Sequence, residues 1–128
     1  MAYFKSINAD VYYEVIGKGE PIVFLGGFMS YPELWYELSS LLKEKYCCII
    51  ISYRGQDYTL LKEKFTIDDI IYDIKGIIND LGHEKVTIFG DALGGFFARL
   101  FTFLYPEMVN KLILSSCSYT KDTILNHR

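Results

Sequence analysis

Short apolar runs and stretches of helical spacing alternate along this chain, separated by glycine, proline and small polar residues. Residues 3–7 and 11–16, rich in Tyr, Phe, Val and Ile, read as two strands. Asn8, Ala9 and Asp10 between them predict a three-residue hairpin turn. A second turn over 17–20 leads to the continuous apolar run 21–25, the mark of a strand covered on both faces. Ser30 with Glu33 predicts a capping box for a helix over 32–45, with Pro32 in its first turn. Leu34, Leu38, Leu41 and Leu42 would form its buried stripe. Residues 47–52 read as the next buried strand. Thr66 and Asp69 cap a second helix, in which Ile67, Ile70, Ile71, Ile74, Ile77, Ile78 and Leu81 keep helical spacing. A strand at 86–89, a helix over 94–105 stopped by Pro106, and a strand at 109–115 complete the series. The order β-β-β-α-β-α-β-α-β predicts an α/β fold: a hairpin leading into a mostly parallel sheet with helices on both faces.

Composition narrows the function classes. The 128 residues fit one domain, 1–128, ending in an aperiodic tail at 119–128. An apolar fraction of 51% excludes a disordered chain, and a net charge of −3 argues against nucleic acid as partner. No apolar run approaches the roughly 18 residues of a membrane span, and the N-terminus does not read as a signal peptide. Cys47 and Cys48 are adjacent and Cys117 lies in another apolar run, so buried thiols in a reducing cytoplasm are expected. No Cys/His cluster suggests a metal, and no cofactor is expected. The glycines at 90, 94 and 95 do not give the dinucleotide fingerprint, and no Gly-Lys-Ser/Thr follows a strand.

The informative stretch is Ile88-Phe89-Gly90-Asp91-Ala92-Leu93-Gly94-Gly95-Phe96-Phe97, between a buried strand and a helix. Gly90, Asp91, Gly94 and Gly95 around position 92 have the layout of a nucleophile elbow, which lifts one side chain above the C-terminal edge of a sheet. On these residues the chain resembles the α/β-hydrolase family. Gly17, Gly19 and Pro21 resemble the family's lead-in to its third strand, Gly27 and Phe28 its oxyanion turn, and Tyr53-Arg54-Gly55 the segment after its fourth strand. The elbow and the 114–126 tail also resemble maspardin, a member of that family. The resemblance implies the N-terminal part of an α/β-hydrolase sheet and hydrolysis of carboxylic esters or similar acyl substrates. It implies a nucleophile at position 92 and an oxyanion hole from the backbone N–H groups of Leu93 and Phe28. Met29 and Ser116 are then candidates for the substrate pocket, with Phe28 and Met29 lining an acyl site.

The residues themselves set three deficits against that chemistry. Position 92 is alanine, and a methyl group cannot attack a carbonyl. The histidines are His83, expected at the sheet edge opposite the elbow, and His127 in the tail, so no base is placed beside it. The acid and histidine of the family's triad follow strands absent from these 128 residues. The expectation is an inactive chain, either a fragment or shortened relative of a serine hydrolase or a non-catalytic binding or scaffold protein. Ala92 fits an introduced substitution and natural drift equally. Asp91 is expected to rest near a helix N-terminus, and Cys117 lacks a histidine to activate it as a substitute nucleophile. Phe96, Phe97, Phe101 and Phe103 read as packing, and Tyr12, Tyr13, Tyr36, Tyr46, Tyr53 and Tyr58 as cover for sheet edges and helix flanks. A bare strand at 109–115 should pair with a second copy or a complementary C-terminal fragment.

Overall fold

The computed structural model describes residues 2–27, 31–54, 60–61 and 65–116. Strands β1 (Ala2–Ser6) and β2 (Ala9–Ile16) form the opening hairpin. Its turn is Ile7-Asn8, shorter than the sequence suggests: Ser6 pairs with Ala9 and Lys5 with Asp10. Asn8 takes φ 60, a left-handed conformation that asparagine tolerates, and so closes the turn alone while Ala9 is free to be buried.

Strand β3 (Glu20–Leu25) follows, then a 3₁₀ turn (Pro32–Trp35), α1 (Tyr36–Leu42) and β4 (Tyr46–Ile51). The expected single helix over 32–45 is therefore a 3₁₀ turn plus a seven-residue helix. Its N-cap is Tyr31, with no side-chain capping bond, and Ser30 lies outside the described residues. The tighter first turn changes the helical phase. Trp35, Leu38 and Leu42 pack inward, whereas Leu34 and Leu41, expected on the same stripe, are 68% and 79% exposed.

Strand β5 (Leu60–Leu61), unmarked in the sequence pattern, adds to β2. The capping box of α2 (Ile67–Asp80) forms as read: Thr66 Oγ1 accepts from the Asp69 N–H and the Asp69 carboxylate accepts from the Thr66 N–H. Strand β6 (Val86–Asp91), α3 (Leu93–Leu104), a 3₁₀ turn (Pro106–Met108) and β7 (Val109–Ser115) complete the domain.

The sheet runs β1-β2-β4-β3-β6-β7, with β5 beside β2. Pairs β3–β4, β3–β6 and β6–β7 are parallel, and β1–β2 and β2–β4 antiparallel. Alternation divides the sheet residues between two cores. Val23, Leu25, Ile49, Ile51, Val86 and Ile88 meet Ile70, Ile71, Ile74, Ile77 and Ile78 of α2 and the Phe97, Ala98 and Phe101 face of α3, whereas Ile67, expected on the same stripe, is exposed. Ile22, Phe24, Cys48 and Ile50 face α1, where Phe24, Trp35 and Phe89 make a mutually packed aromatic trio. Two tyrosines expected at edges are core residues: Tyr12 and Tyr53 are 3% and 4% exposed. Phe103, expected in the packing, is 80% exposed at the C-terminal end of α3. Among the described residues no helix is long and apolar enough to cross a membrane.

Candidate active site at the C-terminal sheet edge

The parallel strands β3, β4, β6 and β7 all end on one edge, and the residues that leave them converge there. The β6–α3 connection is Ala92 alone, with φ 52 and ψ −121. Such a backbone is disfavoured for any residue with a Cβ and typically costs about 1–3 kcal/mol, which the surrounding structure must offset. Here its N–H donates to the Ser115 carbonyl at the end of β7 (3.1 Å), and its carbonyl accepts from the Gly95 N–H (2.9 Å). The side chain at 92 is exposed at the tip of this turn, and it is a methyl group.

Two glycines let the turn close. A Cβ on Gly90 would lie 2.6 Å from the Gly94 carbonyl oxygen and 2.8 Å from the Ala98 Cβ. A Cβ on Gly94 would run into the Leu25 carbonyl and come within 2.8 Å of the Gly26 carbonyl oxygen. The helix start and the end of β3 are thus in backbone contact. Gly27 faces the elbow: a Cβ built on it would lie 3.7 Å from the Ala92 Cβ.

Leu93 opens α3 and is 38% exposed, and no side chain caps that helix end. Its N–H group therefore belongs to the partial positive charge of a helix N-terminus. Phe28 and Met29 lie outside the described residues, as do Cys117 and His127. Asp91 ends β6 half-buried, in register with Ser115, and Ser116 is exposed just beyond β7 with φ 52. His83 precedes β6 at its opposite end, so the six residues of that strand, about 20 Å, separate it from the elbow. Burial pushes the thiols of Cys47 and Cys48 up, which makes them poorer nucleophiles, and both precede the end of β4. Among the described residues no group of three His, Cys, Asp or Glu could hold a metal ion.

Beside the site, Tyr53 and Arg54 of the Tyr53-Arg54-Gly55 segment make two contacts whose partners carry no sequence signal. Arg54 and Asp73 form a buried bidentate ion pair, Nε–Oδ2 at 2.7 Å and Nη2–Oδ1 at 2.8 Å. Arg54 also donates to Ser6 Oγ (2.9 Å) and the Ile7 carbonyl (3.3 Å), and Ser6 Oγ donates to Asp73. The Asp73 carboxylate, through its hydrogen bonds, holds the Arg54 guanidinium above its ordinary pKa against the opposing effect of burial. The network ties the chain after β4 to α2 and to the first hairpin. The second contact is that of the Tyr53 hydroxyl, which donates to the Gly26 carbonyl at 2.9 Å.

A family model described as alpha/beta hydrolase fold matches residues 20–126. The chain is 34% identical over 119 residues to epoxide hydrolase 1 of Caenorhabditis elegans, covering 87% of this chain and 29% of that protein. It is 34% identical over 103 residues to human epoxide hydrolase 4, covering 76% of this chain and 28% of that protein. The chain thus spans less than a third of the length of these curated relatives. Among solved structures, a variant of an epoxide hydrolase from Bacillus megaterium superposes with a TM-score of 0.82 at 25% identity, covering 88% of this chain and 40% of that one. An N-acyl homoserine lactone degrading enzyme superposes equally well, with a TM-score of 0.82 at 22% identity, over 88% of this chain and 45% of that one, a likeness of fold.

Proposed function

The chain belongs to the α/β-hydrolase family, and from that premise we propose that its sheet edge is a hydrolase-type site whose nucleophile is replaced by Ala92. The ligand class is small neutral compounds with an electrophilic carbon bonded to oxygen, carboxylic esters or similar acyl compounds first. Relatives named as epoxide hydrolases extend the class to epoxides. Bound there, the substrate oxygen would meet the Leu93 N–H and the N–H of Phe28, donors of the kind that stabilise an oxyanion. The chain itself supplies no group at 92 that can form a covalent intermediate.

The observation that carries this reading is Ala92 at φ 52 and ψ −121. Glycine would hold that conformation without strain. A side-chain-bearing residue there fits an elbow that served a reactive side chain. The alternative, a non-catalytic binding or scaffold protein, is favoured by Gly26 and Ser52, which stand where many family members have histidine and aspartate.

The expected result is no turnover of short p-nitrophenyl esters above background by this chain, and none by Ala92→Ser, because among the described residues the histidine is His83, at the opposite end of β6 from the serine whose proton must be taken. Labelling by a fluorophosphonate probe reads the same point in one turnover. Turnover by the unaltered chain that survives Cys117→Ser would overturn the reading, and strong labelling of the introduced serine would reveal a base.

The proposal extends to partners. Among the described residues β7 pairs only with β6, while Leu112, Ile113 and Leu114 are 36%, 42% and 40% exposed. Such an edge is a template for another strand, from a second copy or a complementary C-terminal fragment. Light scattering is expected to give a concentration-dependent mass above 14.8 kDa, lowered by Ile113→Lys. A constant monomer mass across a wide concentration range contradicts this.

A further inference from the structure

Tyr53 leaves the end of β4 on the same sheet edge as the elbow, but its side chain turns into the core. The ring meets Phe97 of α3 edge to face, with centroids 4.9 Å apart. The hydroxyl crosses to the end of β3 and donates to the Gly26 carbonyl in a buried hydrogen bond. The next residue, Arg54, is fixed by the Asp73 ion pair, so the backbone that carries the ring is anchored from behind. On the elbow side Gly94 packs most tightly against the Leu25 carbonyl and next against the Gly26 carbonyl oxygen, which a Cβ on Gly94 would meet at 2.8 Å. The Gly26 carbonyl therefore accepts from the residue after β4 and lies beside the first turn of α3, where no side chain would fit between them.

A trans peptide is planar, with its carbonyl and N–H pointing opposite ways. Fixing the Gly26 carbonyl fixes the plane of the 26–27 peptide and with it the direction of the Gly27 N–H. Gly27 in turn faces Ala92. We propose that Tyr53 is a positioning residue: its hydroxyl sets the spacing between the turn after β3 and the elbow, and so the width of the slot that receives a substrate oxygen. The inference rests on the hydrolase-type reading of this edge and adds to it the residue that holds the slot open at one width. Without the hydroxyl, a buried carbonyl loses its donor and the peptide relaxes toward whichever group can replace it.

The test uses the full 128-residue chain, isotope-labelled for amide spectra, with phenylphosphonate as a tetrahedral anionic probe. Tyr53→Phe keeps the ring on Phe97 and removes only the hydroxyl. It is expected to shift the Gly27 and Leu93 amide resonances and to weaken probe binding about tenfold, the scale of one buried hydrogen bond. Phe97→Leu is the control for packing. It should lower the melting temperature while leaving probe affinity within about twofold, the pattern of lost stacking area with the slot intact. Unchanged affinity and an unmoved Gly27 amide in Tyr53→Phe overturn the proposal. So does a Phe97→Leu variant that loses probe affinity as far as Tyr53→Phe does, since packing alone would then explain the effect. If the unaltered chain does not bind the probe, the hydrolase-type reading falls. Tyr53 is then judged on the Gly27 amide in Tyr53→Phe, whose shift supports the clamp and whose constancy overturns it.

Discussion

Gly94→Ala is expected to destabilise the chain by about 3 kcal/mol, the upper end of what an overpacked site usually costs. The added carbon would collide with the Leu25 carbonyl and lie close to the Gly26 carbonyl oxygen, both of them backbone. Neither can swing aside as a long side chain would, so α3 must lift off the end of β3 and the elbow must open. Gly82→Ala is the comparison that separates collision from backbone conformation. Gly82 has φ +80 but nothing within 4 Å of the new carbon, so only strain operates, at about 1 kcal/mol. Urea unfolding of the two variants measures the difference. Equal losses would mean that the β3–α3 contact is looser than the geometry implies.

The second large effect is expected at the buried ion pair. Arg54→Leu leaves the Asp73 carboxylate without its bidentate partner in a site where both side chains are 3% exposed. Removing one member of such a pair typically costs about 3–5 kcal/mol, because the remaining charge is neither solvated nor compensated. Asp73→Leu should cost a similar amount, with Arg54 keeping only its bonds to Ser6 and the Ile7 carbonyl. The double variant should be much less destabilised than the sum, since it leaves no unpaired charge. Additive losses in a double-mutant cycle would show that the two residues act through separate contacts. Because the network anchors Arg54, the residue after Tyr53, both single variants should also shift the Gly27 amide.

The local and periodic parts of the fold were legible in the sequence. Seven isoleucine and leucine positions at helical spacing, with Thr66 and Asp69 before them, marked α2 and its cap, since both signals lie within a few residues. The strand at Val109–Ser115 matched residue for residue. The glycine pattern around position 92 located the tight turn between β6 and α3, because the close approach of strand and helix there excludes side chains at fixed offsets. Where local rules compete, the sequence was less decisive. Asn8 could close the hairpin alone because one left-handed residue suffices, and a 3₁₀ start to the helix after β3 turned Leu34 and Leu41 to solvent.

Apart from the short strand β5, the sequence by itself determined the order of strands and helices, the tight turn at position 92 and the methyl group at its tip. Those follow from residue identity and from contacts between near neighbours in the chain. Only the tertiary structure decided that Tyr53 is a core residue bonded to Gly26, and that Arg54 and Asp73 are partners. The first link spans 27 residues and the second 19. Which tyrosine is buried, and which arginine meets which carboxylate, depends on the register of β4 against β2 and β3 and on where α2 lands. No pattern along the chain specifies a pairing that the packing of the sheet brings about.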